Sequence, residues 1–448
     1  MSVEEHADGL GLGGTAEGDD PADLGHARES IGAPASLCLL AGRQVNVLHI
    51  SESDAAGGAA RAAYKIHRGL NGLGHSSRML VGRKVTSDGE VRRLKRNQLW
   101  RAADRAAGEL LDRASLQYVF YPSSFGVAWD PWFRGADVVQ LHNLHGSYFG
   151  FTALPTITRR RPVVWLLHDQ WALTGHVAYS LDCERWRTGC GSCPYLDEYP
   201  RLRRDTSAFL WRLKRRVYAR SRLTLVVPSR WLLELVRASP LLVRFPVHHI
   251  PHGVDASIFS PGPREEARSR LGLPPGRQIV FFAAADLEER RKGLHLLEAA
   301  LRRLEARPLL VVAGSGELRA KVETHSLGVV ADERVLADAY RAADVFAVPT
   351  LADVLGQTAQ ESIACGTPCV SFDRGGVTEV VRHLETGYQA RFADVDELAK
   401  GLRTLLSDGE LLERLSRRCR EVAEREYSVD LQVRRYVDLY EGVTAHGE

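Results

Sequence analysis

The sequence predicts an α/β protein built from two doubly wound, Rossmann-like parallel-sheet domains facing a central cleft. Three observations carry that prediction. A chain of 448 residues is too long for one hydrophobic core. Short apolar runs without polar alternation recur along it, as strands buried on both faces require. Between those runs lie longer segments of helical period, so the repeating unit is strand–helix–strand and the sheets are parallel.

The elements follow in order. Residues 1–43 carry Glu4, Glu5, Asp8, Glu17, Asp19, Asp20, Asp23 and Glu29 against Arg28 and Arg43. They are rich in Gly and Ala and show no periodicity, so a disordered acidic tail is expected. A first domain spans 44–250. Its strands are read at "VNVLHI" (45–50), "SRMLVG" (77–82), "DVVQLHN" (137–143), "VVWLLHD" (163–169) and "LTLVVPS" (223–229), with helices such as 59–72 and 230–237 between them. The stretch "IPHGVDASIFSPGPREEARSRLGLPPG" holds Pro251, Pro261, Pro263, Pro274 and Pro275 and reads as a connector. A second domain spans 251–430, with strands at "IVFFAA" (279–284), "LLVVAG" (309–314), "DVFAVP" (344–349) and "PCVSFD" (368–373). Residues 431–448 are expected to be a helix crossing back to the first domain. Two such sheets place a ligand cleft at their carboxyl ends.

Composition narrows the class. Hydrophobic residues make up 44% and charged residues 26%, the proportions of an ordinary globular protein. No apolar run approaches the roughly 20 residues that span a bilayer. "ASLCLLAG" (35–42) is too short for a signal-peptide core and follows an acidic segment. Seven cysteines without regular pairing fit a reducing compartment, so a cytoplasmic protein is expected. The net charge of +3 hides two basic clusters: Arg92, Arg93, Lys95, Arg96, Arg101 and Arg105, then Arg201, Arg203, Arg204, Arg212, Lys214, Arg215, Arg216, Arg220 and Arg222. They read either as solvated helix faces or as patches for an anionic partner, such as the inner face of a membrane. No nucleic acid is expected.

The segment "DVLGQTAQESIACGTPCV" (353–370) concentrates the chemistry. A helix starting near Gln357 puts Glu361 in its first turns and Asp353 on the loop after a strand. A carboxylate can accept two hydrogen bonds from a vicinal diol. Spacing alone favours a simpler reading, a helix-terminus acid and a solvated loop aspartate. The surroundings point further. "DRGGVTEVV" places Gly375 and Gly376 at a helix start, and "AGSG" places Gly314 and Gly316 after a strand, where backbone N–H groups can meet an anion. "ERRKGLHLLEAAL" brings Arg290, Arg291 and Lys292 to another helix start. Together these suggest a polyphosphate site.

In this order the motifs "IPHGVD", "RKG", "AGSG", "YRAADVFAVPT", the Asp353-x7-Glu361 pair with "ACGTP", and "GGVTEVV" resemble the retaining glycosyltransferases of family 4, with the GT-B fold. "HISESDAAGGAARAAYKIHRGL" and "LLHDQWALTGH" extend the resemblance through the amino half. It implies transfer of a hexose-type sugar from a UDP- or GDP-type donor to a glycan or lipid-linked acceptor, without a metal ion or other cofactor. Glu361 would hold the ribose and Asp353 the donor sugar; Lys292 with Arg291 would neutralise the diphosphate; Gly57 and Gly58 would approach the phosphates; His168 would touch the sugar. The exopolysaccharide-type subgroup tolerates the departures seen here: His252 for Asn, Asp286 for an arginine, Leu355-Gly356 for Phe-Gly, and Asp353 for Glu. A sugar-nucleotide 2-epimerase or a catalytically silent binding protein on the same scaffold are the rival expectations.

Two smaller signals remain. His176, Cys183, Cys190 and Cys193 can supply four tetrahedral zinc ligands, but one C-x2-C is half of a convincing site, and inert thiols are the expectation adopted. "DVD" at 394–396 precedes a helix with Glu397 three residues on, which is a capping box rather than a metal motif. His142, His145 and His325 receive no role.

Overall fold

The computed structural model describes residues 44–94, 97–317 and 321–445. The expected acidic tail lies outside the described residues. Strands β1 (Asn46–Ser53), β2 (Ser76–Arg83), β3 (Val91–Arg93), β4 (Val138–Leu141), β5 (Val163–Leu166), β6 (Thr224–Val227) and β7 (Val247–His249) form one sheet in the order β3-β2-β1-β4-β5-β6-β7. Strands β8 (Ile279–Asp286), β9 (Leu309–Ser315), β10 (Thr324–Ser326), β11 (Val345–Val348), β12 (Cys369–Phe372) and β13 (Gly387–Ala390) form a second, in the order β10-β9-β8-β11-β12-β13. Every strand pair is parallel. Strand order reverses between β1 and β4 and again between β8 and β11, the switch points where doubly wound sheets open a crevice.

The apolar runs work as their lack of alternation implies. In β4, Val138, Val139, Gln140 and Leu141 are all buried. Val139 and Leu141 join one core with Leu48, Ile50 and Trp165, while Val138 joins another with Val47, Val164 and Val226. The second sheet divides likewise: Ile279 and Phe281 face one way, Val280 and Phe282 the other. The nine strands read from sequence are the interior ones. The four missed, β3, β7, β10 and β13, are the sheet edges, three or four residues long and mostly with half-exposed positions.

The helix Val429–Ala445 lays Val433, Tyr436 and Tyr440 onto the first sheet beside Ile66 and Leu70. Its start adjoins the connector: Val254 N–H donates to the Tyr427 carbonyl at 2.7 Å, and Gly253 N–H donates to Gln432 Oε1 at 3.0 Å. A Cβ on Gly253 would lie 2.6 Å from the Val429 Cα, so close contact of these two chain crossings requires glycine. Both links between the halves therefore lie side by side. Among the described residues, no helix is long and apolar enough to cross a membrane.

Candidate active site

The site lies between the carboxyl ends of the two sheets. The turn Arg290–Lys292 follows β8, and Gly293 ends it in the left-handed region before the helix Leu294–Leu301. A Cβ on Gly293 would sit 2.0 Å from the Pro349 carbonyl, so the turn is clamped onto the end of β11. There Lys292 Nζ donates to Asp353 Oδ2 at 2.7 Å. Asp353 Oδ1 accepts from the N–H groups of Gly356 at 3.1 Å and Leu355 at 3.4 Å. Burial alone would raise this carboxyl's pKa, but Lys292 and Arg291 hold it well below the usual carboxylate range. Asp353 is thus an ionised partner for Lys292.

Arg291 is fixed on three sides. It donates to the Ala352 carbonyl at 2.6 Å and to Glu289 Oε1 at 2.8 Å, and it lies 4.1 Å from the Tyr179 ring centroid. Tyr179 belongs to the first half, in the segment between β5 and the helix Ser207–Tyr218. Arg374 of the second half also donates to the Leu181 carbonyl of that segment, at 3.2 Å, and Gln357 donates to the Gly58 carbonyl at 3.2 Å. The two halves meet across the cleft.

Glu361 is buried on the helix Gln357–Ala364, which begins where the sequence placed it. Its Oε2 accepts from the Tyr340 hydroxyl at 3.0 Å. Burial raises its pKa, opposed by Lys65 and Arg61 on the facing helix Gly58–Gly72. Gly57 and Gly58 are exposed at the start of that helix, and a Cβ on Gly57 would meet nothing within 4 Å. Gly57 and Gly58 thus form an open helix start on the cleft side.

The other glycines have different work from the anion contacts expected of them. Gly376 N–H donates to the Asp353 carbonyl at 2.9 Å, and its Cβ would fall 1.8 Å from the Val354 carbonyl oxygen. Gly375 packs on the same loop. Gly376 thus seats Asp353 with its own N–H taken up, and the segment Gly376–Glu379 is a single 3-10 turn. Gly314 lies within β9, with its N–H bound to the Gly328 carbonyl at 2.8 Å. Gly316 stands next to the carboxylates of Asp286 and Glu288, which repel an anion. A further correction concerns the second basic cluster. Lys214 is fully buried, donates to the carbonyls of Trp171 and Thr174 at 2.6 and 3.1 Å, and is no part of a surface patch. Lys95 and Arg96 of the first cluster lie outside the described residues, and Arg92 is paired with Asp130.

Sequence reading placed His168 here but missed its neighbours. His49 Nδ1 and His142 Nε2 are 3.1 Å apart, as are His142 Nδ1 and His168 Nε2. His252 of the connector stacks on His168 with ring centroids 5.2 Å apart and planes at 17°. All four are buried, and burial keeps them neutral by lowering their pKa values, that of His252 to about 4. A neutral imidazole has one N–H, so the tautomers along this row are linked. His49 Nε2, His168 Nδ1 and His252 Nδ1 are buried and have no hydrogen-bond partner among the described residues. On the first-sheet side, His145 Nε2 lies 2.7 Å from Asp169 Oδ2 and its Nδ1 lies 3.1 Å from the Tyr199 hydroxyl, with Glu52 nearby and its pKa raised by burial. His49 lies within β1, and His142 and His168 lie just past β4 and β5, three neighbouring strands, a fact visible only once strand order is known.

His176, Cys183, Cys190 and Cys193 border one small cavity away from this row. His176 Nε2 approaches Cys193 Sγ at 3.3 Å, and Gly175 N–H donates to Cys190 Sγ at 3.2 Å. Burial pushes the Cys190 thiol up to about 11. Among the described residues, no group of three or more His, Cys, Asp or Glu is arranged to hold a metal ion. Asp394 accepts from the N–H groups of Asp396 and Glu397, both at 3.0 Å, and is a helix cap.

Comparison with known proteins agrees with this geometry. A family described as Glycosyltransferase Family 4 matches residues 56–258, and one described as Glycosyl transferases group 1 matches 263–422. A D-inositol 3-phosphate glycosyltransferase of Catenulispora acidiphila is 37% identical over 185 residues, covering 36% of this chain and 44% of that protein. One from Thermobispora bispora is 34% identical over 211 residues, covering 43% and 48%. The chain thus spans about half the length of the curated relatives it matches. Among solved structures, sucrose-phosphate synthase from Thermosynechococcus elongatus superposes with a TM-score of 0.64 at 18% identity, over 90% of this chain and all of that one. Anabaena HepE in complex with UDP-glucose superposes with a TM-score of 0.62 at 16% identity, over 89% and 100%. At such identities the likeness establishes the fold.

Proposed function

The chain belongs to the glycosyltransferases of family 4, with the GT-B fold, and we propose that it moves a hexose-type sugar from a nucleotide diphosphate sugar to an acceptor hydroxyl. The observation that carries this reading is the Lys292–Asp353 pair, 2.7 Å long, flanked by Arg291 at the base of the cleft. A fixed cation there stabilises negative charge as a diphosphate departs, in a partly dehydrated site where that interaction is strong. Glu361, with one oxygen held by Tyr340, offers the other to the ribose diol. The open start of the helix Gly58–Gly72 supplies backbone N–H groups to the phosphates. His168 touches the donor sugar, with His252 stacked behind it.

On this reading the donor is a UDP- or GDP-type sugar, and uridine is favoured because a structural neighbour of the same fold holds UDP-glucose. The acceptor is a glycan or lipid-linked glycan, placed against Glu52, His145 and Asp169. The reaction retains anomeric configuration, with the acceptor hydroxyl attacking on the leaving-group face and its proton passing to a phosphate oxygen. The protein works in the cytoplasm, with peripheral contact to the inner face of the membrane through the exposed arginines of the two clusters, such as Arg101, Arg105, Arg212, Arg215 and Arg216. The cations replace a metal, so turnover should survive chelation of divalent ions. A panel of uridine, guanosine and adenosine diphosphosugars, read by thermal shift and by release of the free diphosphonucleotide with and without chelator, tests both points. Stabilisation by none of them would remove the donor assignment. Turnover lost on chelation of a still-folded protein would remove the metal-free mechanism, whereas unfolding on chelation would assign zinc to the cysteine cavity.

A further inference from the structure

A groove of about 1170 Å³ opens at the amino-terminal ends of β5, β6 and β7. The strands are parallel, so this is the sheet edge opposite the catalytic cleft. Its lining includes apolar side chains, Val163, Leu223, Ile250 and Leu439. Around these stand Arg159, Arg160, Arg161, Arg222, Arg244 and Arg435, with Asp438 as the single carboxylate in the lining.

Several arginines elsewhere in the chain are neutralised by a carboxylate. Arg264 and Arg268 bind Asp344, Arg270 binds Asp338, Arg277 binds Glu323 and Arg382 binds Glu426. Among the described residues, none of the six around the groove lies within ion-pair distance of a carboxylate. Their bonds go to backbone carbonyls: Arg159 to Pro155 at 2.9 Å, Arg160 to Thr156 at 3.1 Å and Arg244 to Ala219 at 3.4 Å. Clustered like charges repel one another and destabilise the fold unless an anion sits among them. Guanidinium forks match the oxygens of phosphate and carboxylate bidentately, and a phosphate brings the larger negative charge to a cluster of arginines. Two apolar groups mark the rim: Trp129, 56% exposed beneath Arg160 at 5.2 Å, and Val243, 59% exposed beside Arg244.

We propose that this groove is a second anion site, separate from the donor cleft, which takes a phosphate-bearing ligand with the phosphate among the arginines and any apolar part on the Val163–Leu439 surface. The phosphate can belong to a soluble phosphoester or to a lipid headgroup, and one experiment separates the two. The full chain and an Arg222→Glu/Arg244→Glu variant are titrated with sodium pyrophosphate by calorimetry. Both are also floated with phosphatidylglycerol vesicles, using phosphatidylcholine vesicles as the neutral control. A Lys292→Ala variant is run in parallel to report any pyrophosphate taken by the donor cleft.

Each lost charged hydrogen bond should weaken binding about tenfold or more, so the double variant should bind roughly a hundredfold less tightly. Loss of pyrophosphate binding in the groove variant, retained in Lys292→Ala, supports the site with a soluble ligand. Loss of phosphatidylglycerol flotation alone supports it with a lipid headgroup. Both signals should fade as salt rises. If wild type binds neither probe, if the groove variant binds both as well as wild type, or if neutral vesicles bind equally, the proposal is overturned. Should charge reversal unfold the protein, Arg159→Gln/Arg160→Gln at exposed positions is the substitute, with the same outcomes expected. Failure of the donor assignment would leave this result untouched, because the two sites share no residue.

Discussion

Replacing Asp353 by Asn tests whether the cleft works through a preset cation. Asn preserves shape and keeps an oxygen for the Gly356 and Leu355 N–H groups. At Oδ2 it places an amide donor against Lys292 Nζ, so the 2.7 Å bond is lost and two donors face one another. A hydrogen bond to a charged group contributes about 1.5–3 kcal/mol, which corresponds to roughly ten- to a hundred-fold in rate. Because the aimed charge acts mainly on the departing diphosphate, the loss should fall on kcat, with donor KM changed little. Lys292→Ala should cost at least as much. The double variant should be no worse than the worse single one, since both changes remove one interaction. Single-turnover rates and donor affinity measured on the three variants decide the matter. Losses that simply add, or an Asp353→Asn enzyme within twofold of wild type, would refute the reasoning.

Glu361→Ala should mainly raise donor KM, by about ten- to a hundred-fold on the same energy, because the ribose does not change during transfer; unchanged calorimetric affinity would relocate the nucleotide. Gly376→Ala should abolish most activity and lower stability by about 1–3 kcal/mol, because the new methyl meets the Val354 carbonyl at 1.8 Å and displaces the loop carrying Asp353; a denaturation curve and initial rates like those of wild type would contradict that. The histidine row predicts a pH effect. Burial holds the folded pKa values of His49, His142, His168 and His252 below their unfolded values near 6.5, so the unfolded chain binds more protons. That contribution is full above pH about 6.5 and is lost as pH falls. His142→Phe should therefore be less stable at pH 8 yet lose less on going to pH 5, and parallel urea curves for both proteins at the two pH values would argue against a neutral row.

Much of the site is legible residue by residue, but its wiring is not. The sequence places Asp353 on the loop after a strand and Lys292 at a helix start, yet their mutual bond depends on β8 and β11 being neighbours, although residues 309–326 and the helix Glu333–Ala342 intervene in sequence. The glycines of "AGSG" and "DRGGVTEVV" look like anion contacts in sequence because glycine after a strand serves both purposes. Packing distinguishes them: a Cβ at Gly314 would strike the Ala284 carbonyl at 2.1 Å, and one at Gly376 the Val354 carbonyl. Lys214 counts as one of a basic run in sequence, but the helix Ser207–Tyr218 turns it inward onto the Trp171 ring, 3.5 Å away.

The sequence by itself determined the α/β class, the interior strands, the connector and the acids and bases of the donor side. Those follow from local properties: apolar runs, helical period, proline placement and short motifs whose residues act near one another in the chain. Tertiary structure alone decided the edge strands, the pairing of Lys292 with Asp353, the stacked row from His49 to His252 and the arginine groove at the far edge of the first sheet. Each of these joins residues from segments distant in the chain. Their contacts depend on strand order and on which face each residue turns to the core. A single chain's local pattern carries the second of these only in part and the first not at all.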